Sequence, residues 1–106
     1  MQMTSECFKL NDDWLTEARF TINKNVIFRK VGNEGIILHL LDGIYYSLSE
    51  TSLPAWESIS NGYSLQTAVD QITSEYDVDV ETVVQELENL IEDFLKYNLI
   101  SPVAYP

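Results

Sequence analysis

The amino-acid sequence predicts a small α+β domain of the winged helix-turn-helix type, in which a three-stranded antiparallel sheet is followed by three helices. Two observations carry this prediction. Three short runs rich in β-branched and aromatic residues, "NVIFRKV", "GIILHLL" and "IYYSL", follow one another between residues 25 and 48 with only turn residues between them. After Ser49 the apolar residues change to a spacing of three and four, the period of a helix with one buried face, and keep it as far as Leu95.

Residues 1–22 precede this pattern without a period of their own. Phe8, Leu10, Trp14 and Leu15 are scattered among Ser, Thr, Asn and Asp, so these residues are expected to form a loosely attached N-terminal arm, with the domain spanning 23–101. "NVIFRKV" has the composition of a strand and is closed by the turn residues Gly32 and Asn33. "GIILHLL" is almost continuously apolar, which suits a strand covered on both faces or a central strand between two neighbours. Asp42-Gly43 then signals a two-residue type I′ hairpin, because both central positions need positive φ, and "IYYSL" returns as the third strand.

Ser49 or Thr51 is placed to cap the first helix. Pro54 fits its first turn, where N–H groups lack internal partners, and Leu53, Trp56 and Ile59 share a face before Asn61-Gly62 ends it. Ser64 starts a second helix with Leu65, Ala68, Val69, Ile72 and Tyr76 at helical spacing, and "DVD" interrupts it. A long third helix runs from Asp79 to Asn98, with Asp79 and Glu81 near the positive end of its dipole and Lys96 near the negative end. At roughly 100° per residue, the apolar positions from Val80 to Leu95 occupy an arc of roughly 140°, wider than the roughly 100° that one core-facing stripe needs. The surplus falls on one of two flanks: Val83 and Leu90 beside Glu86 and Tyr97, or Val84 and Leu95 beside Glu88.

Composition removes several classes of function. A chain of 106 residues is one domain with a core large enough to fold without staples. No run approaches the roughly 18 apolar residues of a membrane span, and the N-terminus lacks the pattern of an export signal, so a soluble cytoplasmic protein is expected. Cys7 is the single cysteine and His39 the single histidine, which excludes an internal disulfide and a four-ligand Cys/His zinc site. From Val31 onward thirteen carboxylates face one base, Lys96. Such a surface repels phosphate backbones and anionic membranes, so neither nucleic acid nor membrane is an expected partner.

No catalytic set emerges. His39 sits in an apolar strand without a second histidine and reads as structural, and Cys7 lies in the unpatterned arm, where a nucleophile–base pair with His39 would not be held rigidly. No G-x-S-x-G, H-E-x-x-H or phosphate-cradling glycine loop occurs. "DVDVE" superficially resembles a calcium loop but lacks its glycine and terminal glutamate, and reads as a helix start. No catalysis, metal or cofactor is expected; a binding module remains.

Together, "VIFRKV", "EGIILHLLDGIYYSLS", "AWESISNGYSLQTAVDQITSEYDVDVETVV" and "ELENLIEDFLKYNLI" resemble the PqqD-like RiPP recognition elements, winged-helix domains that bind leader segments of ribosomally made peptides. Ser49 stands where members often have Asn, and Glu86 where many have Asp; both keep the chemical type. The "xYYxL" strand and the "EYDVD" link look most like the freestanding leader-binding proteins of lasso peptide pathways, which partner a leader peptidase and a macrolactam synthetase. The resemblance implies β-strand addition of the leader to the edge of the third strand, Ile44, Tyr45, Tyr46, Ser47 and Leu48, beside the last helix. Val83, Glu86, Leu87 and Leu90 would line the groove, and the acidic residues would favour a basic leader or partner enzyme. Adjacent strand residues point to opposite faces, so one tyrosine packs and the other meets the peptide. Service to a radical SAM or other tailoring enzyme, and a protein–protein adaptor acting through the acidic last helix without a peptide groove, are the alternatives.

Overall fold

The structure, a computed structural model, describes residues 14–103. Along the chain lie α1 (Trp14–Glu17), β1 (Phe20–Ile22), β2 (Val26–Val31), β3 (Glu34–His39), β4 (Ile44–Leu48), α2 (Leu53–Ser60), α3 (Leu65–Glu75), α4 (Val80–Lys96) and β5 (Ile100–Pro102). Strands β2, β3 and β4 form one antiparallel sheet in that order, and three helices follow it, as the change of period requires. Among the described residues no helix is long and apolar enough to cross a membrane.

The apolar run of β3 makes it the central strand, covered on one face only. Gly35, Ile37 and His39 are buried while Ile36 is exposed, so the helices cover a single side of the sheet. The core there is an aromatic cluster: Trp56 of α2 is 1% exposed, its ring lies 5.8 Å from Phe28 of β2, and it meets Phe94 of α4 edge-on at 5.3 Å. Gly35 makes room for it, since a Cβ at this position would stand 2.5 Å from Phe28 Cε1 and 3.2 Å from Leu53 Cδ1.

Each helix ends where its local chemistry directs. Asp79 caps α4 by accepting a hydrogen bond from Thr82 N–H at 3.3 Å. At the other end Asn98 adopts φ 63°, Leu99 N–H donates to Phe94 C=O at 2.9 Å and Asn98 N–H to Leu95 C=O at 3.1 Å. This is a Schellman closure, and it turns Leu99 and Ile100 back into the core. Within α4, Val83, Leu87, Ile91 and Phe94 are buried and Val84, Leu90 and Leu95 are half-buried, so the domain itself uses most of the wide arc.

Three local expectations are corrected. The β3–β4 connection is not a two-residue type I′ turn: it comprises residues 40–43, Gly43 N–H closes on His39 C=O at 2.7 Å, and only Gly43 takes positive φ (69°). The α2 cap position belongs to Ser52 rather than Ser49 or Thr51; Ser49 Oγ instead accepts from Ser52 N–H at 3.2 Å, shaping the turn that leads in. Residues 14–22 of the expected arm are tied down. Phe20–Ile22 pair with Ile100–Pro102 as a second, two-stranded sheet, Asn23 Nδ2 donates to Asn98 C=O at 2.8 Å, and Ala18 and Phe20 are buried. A pairing of three residues across about 80 positions of chain leaves no periodic trace, because its apolar contacts are supplied from the far terminus. Cys7 and the rest of the arm, residues 1–13, lie outside the described residues.

Truncating Trp56 opens a cavity between sheet and helices, so Trp56→Ala is expected to cost about 3–5 kcal/mol, a large part of the roughly 5–15 kcal/mol that holds a domain together. Gly35→Ala forces the Phe28 ring off Trp56 and is expected to cost about 1–3 kcal/mol. Urea unfolding followed by tryptophan fluorescence measures both, and a Gly35→Ala midpoint equal to the parent's would refute the close fit.

Candidate functional site

Beside α4 the surface opens into a cleft of about 340 Å³. Its floor is apolar, built from Ala55 of α2, Ile72 of α3, and Val83, Leu87 and Leu90 of α4. One wall is polar: Glu86, Asn89 and Asp93 follow one another up α4 at helical spacing, and Tyr97 continues the same stripe past the helix end. The opposite rim is Thr51 and Ser52, in the turn that leads from the end of β4 at Leu48 to α2. Of the two flanks open from the helical wheel, the cleft therefore uses that of Val83, Leu90, Glu86 and Tyr97.

Strand β4 forms an edge of the sheet; none of its residues lines the cleft, which it approaches through the turn that follows it. Its register pairs it with β3, Gly35 opposite Leu48 and His39 opposite Ile44, and no described strand pairs with its other side. The N–H and C=O groups along that side are thus free for an added strand. Alternation divides the tyrosines. Tyr46 lies on the helix side, half-buried, its ring 5.2 Å from that of Tyr97, whereas Tyr45 is on the other face and 68% exposed. Ile44 and Ser47 are exposed; Leu48 is 3% exposed and belongs to the core, so its side chain is not available to a ligand.

The structure thus brings Val83, Glu86, Leu87 and Leu90 into one cleft and puts Tyr46 against Tyr97 at the end of α4, whereas none of Ile44, Tyr45, Tyr46, Ser47 and Leu48 lines the cleft itself. Asn89 and Asp93 were legible as the continuation of the Glu86–Leu90 stripe. Thr51, Ser52, Ala55, Ile72 and Tyr76 join the cleft only through tertiary packing. Lys96 lies 5.6 Å over the Tyr97 ring, at the end of the cleft away from Tyr76.

A hydrogen bond ties the two sides of the cleft together at its other end. Tyr76 Oη donates to Glu50 Oε2 at 2.6 Å, linking the α3–α4 connection to the turn after β4. The hydrogen bond to Glu50, then partial burial and the charges of Glu50 and Glu75, push the Tyr76 phenol from 10.0 up to about 12. Only the neutral phenol can donate, so the link is complete below pH 10.0 and is lost as pH rises through about 12.

The residues weighed for chemistry lie elsewhere. His39 is 2% exposed; neither ring nitrogen has a hydrogen-bond partner, and Nδ1 is 3.8 Å from Asp42 Oδ2. Asp79 caps α4 and Asp77 lies in the link that leads into it, as a helix entry requires. Among the described residues no three His, Cys, Asp or Glu side chains converge where a metal ion could be held.

A phenolate absorbance titration should show a late phase near pH 12, from Tyr76. Both Tyr76→Phe, by removing it, and Glu50→Gln, by moving it down toward 10, should abolish this late phase. A late phase that persists in both variants would rule out the Tyr76–Glu50 link.

Comparison with known proteins bears out the fold. The chain aligns with a solved structure of TbiB1 in complex with the TbiA(beta) leader peptide at 27% identity and a TM-score of 0.71, covering 80% of this chain and 99% of that one. It also aligns with a lasso peptide synthetase B1 complexed with the leader peptide at 20% identity and a TM-score of 0.69, covering 82% and 100%, a likeness of fold. A search of curated proteins gives no match. The sequence model of the PqqD family, coenzyme PQQ synthesis protein D, matches residues 34–100, from the start of β3 to the residue that closes the core after α4. With most of the sheet, all three major helices and the cleft between them inside that match, the chain belongs to the PqqD family.

Proposed function

We propose that this protein is a non-catalytic binding module that captures the leader segment of a ribosomally made precursor peptide and presents it to a modifying enzyme. The observations that carry the reading are the unpaired edge of β4 and an apolar-floored cleft on α4 whose rim is the turn that follows that strand. Two proteins of the same fold carry a leader peptide, which supports the same class of ligand here. An extended peptide adds to β4 through main-chain hydrogen bonds, which are indifferent to sequence, and its alternate side chains enter the cleft, where selection takes place. Leu90 and the nearly covered Val83 and Leu87 accept an apolar side chain. Glu86 and Asp93 favour a neighbouring Lys or Arg, through an attraction that weakens as salt rises. In this reading Tyr46 flanks the groove and Tyr45 does not. The enzyme served is a leader peptidase or macrolactam synthetase of a lasso-type pathway, and the protein acts in the cytoplasm.

Titrating a fluorescent leader peptide, taken from the precursor encoded in the same gene cluster, tests this directly. Glu86→Lys and Leu90→Asp are each expected to weaken binding about tenfold or more, equivalent to about 1.4 kcal/mol, with Tyr46→Ala intermediate. Raising the salt concentration should shrink the penalty of Glu86→Lys and leave that of Leu90→Asp. Unchanged affinity in all three folded variants, with protection from amide exchange on the outward face of α4 and none along Ile44–Leu48, would replace the groove by the adaptor reading.

A further inference from the structure

The sheet has a second face, turned away from the helices. Its cross-strand rows are Ile27–Leu38–Tyr45, Arg29–Ile36–Ser47 and, next to the β2–β3 turn, Val31–Glu34. Val31 is 59% exposed and Ile36 39%, whereas Gly35 and Ile37, which alternate with Ile36 along β3, are buried toward the helices. Single exposed apolar residues are ordinary on a protein surface, but adjoining ones mark interaction sites.

Charge selects what can cover this face. Of the chain's seventeen carboxylates only Glu34 lies in β2, β3 or β4. Lys30 of β2 reaches Glu57 of α2 at 3.5 Å and so belongs to the helix side, which leaves Arg29 and Glu34 as the charged groups of the outer rows. Both are exposed, and neither has an ion-pair or hydrogen-bond partner among the described residues. On a protein of net charge −11 this face is therefore neutral, with one unpaired group of each sign. A second copy approaching over the helices meets its own sign of charge; over the outer rows it does not.

The arrangement of these groups is self-complementary. Arg29 stands opposite Ile36, and Val31 opposite Glu34, so the four form one cell of the sheet with the charges on one diagonal and the apolar pair on the other. A two-fold axis lying in the interface, roughly along the apolar diagonal, exchanges the charged corners. Arg29 then meets Glu34 of the second copy, Glu34 meets its Arg29, and Ile36 and Val31 each face their own counterparts. We propose that the protein forms a symmetric dimer through this face. Three short strands spaced about 4.8 Å apart make a contact at the low end of interface sizes, so a dissociation constant of about 10–100 µM is expected. The α4 cleft and the outer edge of β4 lie outside the paired cell, and the dimer does not depend on the leader-capture reading.

Sedimentation of the full chain from about 1 µM to about 1 mM tests the dimer. The parent should pass from monomer to dimer across this range. Arg29→Glu and Glu34→Arg each set two pairs of like charge against one another and are each expected to weaken association about tenfold or more. Glu34→Arg lowers the net negative charge, so it weakens the dimer only if the groups are paired; a general charge effect would strengthen it. An equimolar mixture of the two folded variants should dimerise again, because one copy then presents two carboxylates and the other two guanidinium groups. A parent that stays monomeric at every concentration overturns the proposal and leaves the face to a different protein. Single variants that associate as the parent does place the dimer on another surface, and a mixture that remains monomeric refutes the Arg29–Glu34 pairing; either result overturns it too.

Discussion

The contact of Phe28, Trp56 and Phe94 is the constraint on which the rest of the structure depends. It joins the sheet, α2 and α4 through one buried indole, and it sets how far α4 stands from the strands. Gly35 is the complement of that contact, the place on the central strand where a side chain must be missing for the Phe28 ring to sit beside Trp56. The indole N–H has no hydrogen-bond partner, so the position retains its tryptophan side chain for shape and area, at the cost of one unpaired buried donor.

The cleft follows from this arrangement. A helix 17 residues long with a broad apolar arc packs its centre, Leu87, Ile91 and Phe94, into the core, while one flank of the arc remains over at Leu90. The Schellman closure at Asn98 stops the helix and turns the chain inward, which leaves Tyr97 against Tyr46 at one end of the flank. At the other end Tyr76 and Glu50 hold the connections together. The result is an apolar floor between an acidic wall and the Thr51–Ser52 turn that follows the open edge of β4, in a fold shared with solved proteins complexed with a leader peptide.

Much of this was legible in the residues because it is local. Helix faces appear as spacing, the two ends of the last helix as Asp79 and Asn98, and the central strand as an almost continuous apolar run, and each of these held, whereas the cap of the first helix moved from Ser49 or Thr51 to Ser52. The alternation that separates Tyr45 from Tyr46 is equally local, since neighbours on a strand face opposite ways. What failed were features that need a partner from elsewhere. The apolar content of Phe20 and Ile22 looks unorganised until β5 returns beside them, and Asp42-Gly43 looks like a two-residue hairpin until the ends of β3 and β4 define a longer loop.

The chemical character of the protein was determined by its sequence alone: acidic, with its elements in the order sheet then helices, and with more apolar surface on the last helix than one stripe requires. Tertiary structure decided where that surplus lies. The packing of the helices against one face of the sheet leaves the Leu90 flank at the cleft, brings Tyr76 to Glu50, and turns Tyr46 inward while Tyr45 is exposed on the other face. Spacing along a chain fixes which residues share a side of one element, but which side meets another element is settled by how the cores of all of them fit together.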